Sequence, residues 1–541
     1  MSDLTPVLGT RPPPAPPARW VAACVLGSII ASIGFYWILL FDGSLHGYDW
    51  GSHHFNYFDW VRVSLRDYGT LPLFMNDAWI TKNFLANAEG PSFSPLIWLL
   101  LWMPTDLYLK LLIVLFTAAG IVGMLALLRD VGVELLVAVP AAMMFAFGGF
   151  FVSHLSIGHP WAMGGLVLPG LLCLYRRAAL GSSRALWMAA ALNASTILGG
   201  QHQPFIWQNI LISLFALSWA IEVQSGFPLS RWGLFVLASV GLAAVKLLPM
   251  LAEFADYDPT MRMRGIPVAA LIPTLLAPAQ HPDFITTGVE FDHGSGWWEY
   301  AFYTGPFAVS FILIGVLAAR RSWGLLLIGC FFLLLSVELP RSLHAFGLWQ
   351  WLEGLPVWRT QRGPSRFLFL TLFCFMTVAA IGVQRMKDTW AGGRRWVAPL
   401  LVAVSLCIAG DLMWQSLRWQ RAGIGSPLHG GDHRPKPLRL TGTNGARAEL
   451  IDFAPNRLVY RATATQDSRV RFPFRLGNQT REWRVDGLPA LTDRGKLAVD
   501  LPAGERDIVM IYRPEYFYAG VGTSAATLVV MGVCVAWRKR T

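Results

Sequence analysis

Charge is what this 541-residue sequence has least of. Asp, Glu, Lys and Arg make up 14% of it, where a soluble domain carries about 25%. That shortage excludes an ordinary soluble fold. Cysteine is also scarce. Cys24, Cys173, Cys330, Cys374, Cys407 and Cys534 all fall inside apolar runs, and none lies in a loop, so neither a disulfide framework nor thiol chemistry is expected. The opening stretch "MSDLTPVLGTRPPPAPPARW" lacks a signal-peptide cleavage site and is read as a disordered tail over residues 1–20.

What fills the chain instead is apolar and aromatic: 54% hydrophobic residues, 24 Trp and 33 Phe. Several runs of 18 to 22 residues carry no charge, long enough for a hydrocarbon core roughly 30 Å thick. The class is therefore a polytopic α-helical membrane protein. In order, the runs predict about twelve spans: 21–41, 107–128, 134–152, 160–175, 185–200, 204–221, 232–250, 301–319, 323–338, 365–384, 396–414 and 518–536.

Alternate loops give the orientation. With the N-terminus inside, the inner connections hold Arg129, then Arg176, Arg177 and Arg184, then Arg231, then Arg320 and Arg321. Arg385, Lys387, Arg394 and Arg395 follow, and the chain closes on Arg538-Lys539-Arg540. Basic inner loops are what the positive-inside rule demands, so the net charge of +11 points to a membrane and not to nucleic acid. Both termini are expected in the cytoplasm.

The other face collects the polar chemistry. Its large loops are 42–106 and 251–300, and all eleven histidines are expected on it. Residues 415–517 read as a small extracytoplasmic β domain, sandwich-like, because "RLVYRATA" and "KLAVDL" alternate apolar with polar residues and Asp486-Gly487 signals a hairpin. The domain plan is thus 1–20, 21–414, 415–517 and 518–541, the last holding the final span and a basic tail.

Four stretches carry a resemblance: "GYDW…VRVSLRDYGTLPLFMNDAW…SFSPL" in the first loop, "KLLPMLAEFADYDPTMR" at 246–262, "RTQRGPSRFLFL" at 359–370, and "EWRVDGLPALTDRGKLAVDLPAGERDIVMIYRPEYFYAG" at 482–520. In this order the chain resembles the GT-C superfamily of membrane glycosyltransferases, and within it the YfhO-type branch. The resemblance implies a bacterial inner-membrane enzyme with its active site on the periplasmic side. It implies transfer of a sugar from a polyprenyl-phosphate-linked donor to a lipid- or polymer-linked acceptor.

Such a transfer needs a base for the acceptor proton, cations for the leaving phosphate and walls against water. Asp49, just beyond the first span, is the expected base, with His53 on its face if residues 50–68 are helical. The same position suits an aspartate that merely caps that helix. Asp59 is a second candidate, or part of a solvated face. A divalent metal at His53-His54, with Asp49, His159 or His202, is one option, but no H-x-H or H-x-x-x-H spacing accompanies the pair. Ordinary hydrogen-bonding histidines are the other.

Arg359, Arg362 and Arg366 surround Pro364, where the tenth span begins. Arginines at a helix N-terminus oppose its dipole unless an anion is present, so a phosphate clamp is expected there, with Arg262 and Arg264 as further donors. Pairing with Glu338 or Glu353 would also satisfy them. Trp50, His54, Tyr57, His159, His202, Trp297, Trp298 and Glu299 are candidates to line the substrate, although an interfacial aromatic belt accounts for Trp and Tyr without one. A transporter or a non-enzymatic lipid- or glycan-binding scaffold is the alternative. Against transport, no span shows paired charges or a Gly/Pro-broken path; Lys246 lies inside a run, near the outer end of the seventh span.

Overall fold

The protein is described from a computed structural model covering residues 14, 16–47, 49–76, 81–254, 263–277, 297–319, 322–339, 347–355, 358, 361, 363–390, 396–428, 439–475, 482–494, 496–514 and 516–537. It is mostly helical, with a small C-terminal β region. Every apolar run predicted above falls on helical structure.

Among the described residues, eight helices are long and apolar enough to cross a membrane. Helix Thr105–Asp130 shows the logic. Its 26 residues rise about 39 Å at ~1.5 Å each, more than a hydrocarbon core requires. Of its most apolar stretch 67% is buried in the protein, against 6% for Phe517–Ala536. The first is a central helix; the second turns Leu528, Val529 and Val530 outward, as a lipid-facing helix must. By this measure the expected twelve spans are not reached. Helix Pro306–Ala318 has 13 residues, about 20 Å, and residues 160–175 break into a 3-10 turn and two helices. Helix Val397–Ala422 also runs well past the expected end at 414.

The β region is a sandwich of two antiparallel sheets. Strands Trp483–Val485, Gly504–Tyr512, Arg457–Ala464, Arg447–Ala454 and Arg439–Thr441 form one, in that order, and Ser468–Arg475, Lys496–Leu501 and Ala490–Asp493 form the other. Alternation puts Leu458, Tyr460 and Ala462 inside with Val470, Phe472, Leu497 and Val499 from the facing sheet. The Asp486-Gly487 turn is present, with Gly487 at positive φ. It does not close an ordinary hairpin, because Trp483–Val485 and Ala490–Asp493 belong to different sheets.

The first loop is stitched into this sandwich. Phe74 lies in its core, 4.8 Å from the Trp483 ring and 5.1 Å from Tyr512. Asn456, at the turn between two strands, accepts from the amides of Leu73 at 2.6 Å and Phe74 at 3.1 Å, and donates to the Leu71 carbonyl at 3.0 Å. The β region is therefore a splint for the loop that begins at the first helix, and not a separate module on a tether. Phe74→Ala should cost the sandwich about 3–5 kcal/mol, the usual toll of emptying a core phenylalanine site. Protease cleavage of 439–512 should speed up in that variant while the helical signal is retained. Unchanged cleavage would show that the docking carries no stability.

Candidate functional site

Two loops meet at backbone distance near the end of the first helices. Helix Gly149–Ile157 ends on Gly158, whose positive φ makes the left-handed turn that a side chain disfavours. The amide of His159 then bonds back to the carbonyl of His154 at 2.8 Å, which folds His159 over His154. A Cβ on Gly158 would collide with the backbone nitrogen of Trp50, and one on Gly47 with the carbonyl of Ser156. Only glycine at both places lets residues 47–50 lie against 156–159. Trp50 fixes the contact: it is buried, and its indole N–H donates to the Leu155 carbonyl at 2.8 Å.

This approach sets Asp49 beside His159, with Oδ2 2.6 Å from Nε2. Nδ1 of His159 lies 2.7 Å from Nδ1 of His154, which is fully buried. The Asp49 side chain is 18% exposed, so the carboxylate is the accessible end of the row. Burial pushes its carboxyl up, but the hydrogen bond from His159 and the electrostatic pull of the imidazoles of His159, His54 and His53 together outweigh that and hold it below the ordinary value. It is a carboxylate at neutral pH.

The helix after Asp49 opens with a π-helical turn, Trp50–His54, before the α-helix Phe55–Tyr68. Asp49 makes no capping hydrogen bond to it, so the capping role is not the one taken. The wider turn also changes which histidine faces inward. His53, expected on the face of Asp49, is half-buried, while His54 is buried with its ring 6.5 Å from that of His159. Burial pushes the His54 imidazole down to about 4, against the opposing pull of Glu89, whose carboxylate is 4.0 Å away.

Arg366 occupies the far side, in a 3-10 turn at Pro364–Phe367. Its guanidinium is buried, donates to Glu299 through Nε at 2.6 Å and a second nitrogen at 2.5 Å, gives another bond to Gln203 at 2.5 Å, and lies 4.5 Å over the Trp161 ring. The expected anion at this helix start is a carboxylate of the protein itself, Glu299, and Arg366 is no open phosphate clamp. Arg264 is exposed and 3.8 Å from Glu338. Arg262, Arg359 and Arg362 lie outside the described residues.

Other expectations change with burial. Asp59 is no solvated face: it is buried, accepting from the Thr105 hydroxyl at 2.8 Å and from Arg62 at 3.2 Å. It ties the first loop to the start of the next long helix and is poorly placed as a base. Tyr57 packs in the core against His54 and Phe84, and Trp50 is a strut, so neither offers a ring face to a sugar. Trp298 does reach the site, its ring 6.0 Å from His159. His202 begins helix His202–Glu222 and is half-buried; the side chain of Trp297 lies outside the described residues.

Among the described residues, His154, His159 and Glu299 offer ligand atoms within 4.8 Å of one another. They do not fit a cation as they stand. Both Glu299 oxygens accept from Arg366, both His159 nitrogens are engaged, and a guanidinium already supplies the positive charge.

His154, Glu89 and Gln203 escaped the sequence reading. The signal for His154 was the spacing in "HLSIGH", two histidines five apart across a glycine, which a helix-ending turn superposes. Lys246 is fully buried and donates to the Gly90 carbonyl, pinning the segment that carries Glu89. No family model and no curated protein matches this chain.

The low His54 value has a stability consequence. The folded protein keeps this imidazole neutral down to pH about 4, whereas an unfolded histidine takes a proton near 6.5. The unfolded state then binds more protons across that window, so stability falls as pH drops from 6.5 to 4, by about 3 kcal/mol for this group. Melting curves at pH 7 and pH 4.5 should show a smaller drop for His54→Asn than for the native protein. Equal drops would mean that His54 is not neutral and buried in solution.

Proposed function

We propose that the chain is a GT-C-like membrane glycosyltransferase. It moves a sugar from a polyprenyl-phosphate-linked donor to a lipid- or polymer-linked acceptor on the outer side of the bacterial inner membrane. The observation that carries this reading is the Asp49 carboxylate, ionised and partly accessible, held by His159 at 2.6 Å just after the first membrane-crossing helix.

In this reading Asp49 takes the proton of the acceptor hydroxyl. The acceptor oxygen bonds to the anomeric carbon as the bond from that carbon to the phosphate oxygen breaks, its electron pair leaving with the phosphate. A single base suffices for one displacement, which inverts the anomeric centre. His159 fixes the carboxylate's direction, and the Arg366–Glu299 pair walls the site against water. Arg359 and Arg362, with Arg262 and Arg264 as further donors, are the arginines that would steady the phosphate. Trp298, whose ring is 6.0 Å from that of His159, is the candidate to stack on the sugar.

Asp49→Asn keeps the acceptor for the His159 N–H and removes the base. In proteoliposomes holding a synthetic polyprenyl-phosphate sugar and a lipid-linked glycan acceptor, transfer should fall about 10²–10⁴-fold, the usual worth of a positioned base. The melting temperature should barely move. An Asn variant that turns over like the native protein would remove Asp49 from the mechanism.

A further inference from the structure

The contact between His154 and His159 constrains where the protons sit. Their Nδ1 atoms are 2.7 Å apart, so one proton lies between them and one ring must accept. The other nitrogen of His159 faces Asp49 Oδ2 at 2.6 Å. An ionised carboxylate only accepts, so Nε2 of His159 carries hydrogen. In the neutral ring Nδ1 is then bare, and the proton in the gap belongs to His154.

That leaves Nε2 of His154 bare as well. This nitrogen is buried, with no hydrogen-bond partner among the described residues, and its ring lies between Phe150 at 4.6 Å and Trp161 at 5.0 Å. The opposite assignment would bury an orphaned N–H in that apolar place. Under-satisfied acceptors are tolerated better than orphaned donors, so the burial favours the same arrangement. His54, His53, Glu89, Glu299 and Arg366 are the other ionisable groups around the row.

We infer that His154 is a positioning residue: its Nδ1–H, donated to the bare Nδ1 of His159, anchors that ring while its Nε2–H donates to Asp49, and so aims the carboxylate. The tautomer assignment stands on the geometry alone. Its effect on turnover rests on the transferase reading above.

Asparagine places its amide about where the Nδ1 of histidine stands, whereas glutamine places it near Nε2, and leucine has none. The full-length protein in lipid nanodiscs, with histidine rings labelled with nitrogen-15, reports the tautomer directly once His159→Gln has assigned the signal. His159 should be protonated at Nε2 in the native protein, and its bare Nδ1 should show an accepted hydrogen bond in the native protein and in His154→Asn and lose it in His154→Leu and His154→Gln. Gln is polar and similar in bulk, so it keeps the test alive if Leu fails to fold. With the same synthetic polyprenyl-phosphate sugar, Leu and Gln should lower kcat about 10–100-fold, the usual weight of a residue that orients another, with KM little changed. Asn should recover most of the loss.

A native His159 ring protonated at Nδ1, or an Nδ1 signal that moves in neither the Leu nor the Gln variant, would overturn the assignment. So would an Asn variant no better than Gln. If the native protein and Asn variant show that hydrogen bond but no sugar is transferred, the positioning role stands and the transferase reading fails.

Discussion

The candidate site exists because two backbones touch. Gly47 and Gly158 leave no side chain between residues 47–50 and 156–159, and Trp50 binds the seam through the Leu155 carbonyl. Everything chemical follows from that approach. It brings a carboxylate from one loop to an imidazole 110 residues away in sequence, and the helix-ending turn at Gly158 stacks a second imidazole beneath the first. Any side chain at either glycine would push the row apart before it changed any charge.

Around that seam the protein spends its buried polar groups on one another. Arg366 is spent on Glu299 and Gln203, Asp59 on Thr105 and Arg62, and Lys246 on the carbonyl of Gly90. Charges buried this deeply are costly unless paired, and each of these has found a partner. Asp49 differs in being only partly covered. The β sandwich contributes from outside the helices: by holding Phe74 and the amides of Leu73 and Phe74 it fixes the far end of the loop that starts at Asp49.

The helices and the sandwich were legible because periodicity and apolar length are local properties. The runs from 21 to 536 fall on helical structure, and "RLVYRATA" alternates in the folded strand as it does on paper. Asp49 stood out for its place after a span. What could not be read is who meets whom. The arginine-rich "RTQRGPSRF" looked like an anion site; its Arg366 does meet an anion, but that anion is Glu299, drawn from "GWWEY" by the tertiary fold. Asp59 looked exposed because nothing nearby in sequence covers it; Thr105 does. His54 rather than His53 turned inward because the first turn of its helix is π and not α, a difference of one residue that composition does not encode.

In the proposed reading Asp49 is the working group of an enzyme that consumes a lipid-linked sugar. The most direct measurement is the profile of polyprenyl-linked sugars and surface glycans, by mass spectrometry, in cells that lack the gene, carry it intact, or carry it with Asp49→Asn. Loss of the gene should raise one lipid-linked sugar and remove one glycan decoration. The intact gene should reverse both, and the Asn version neither. Identical profiles in all three strains, or full restoration by the Asn version, would contradict the account.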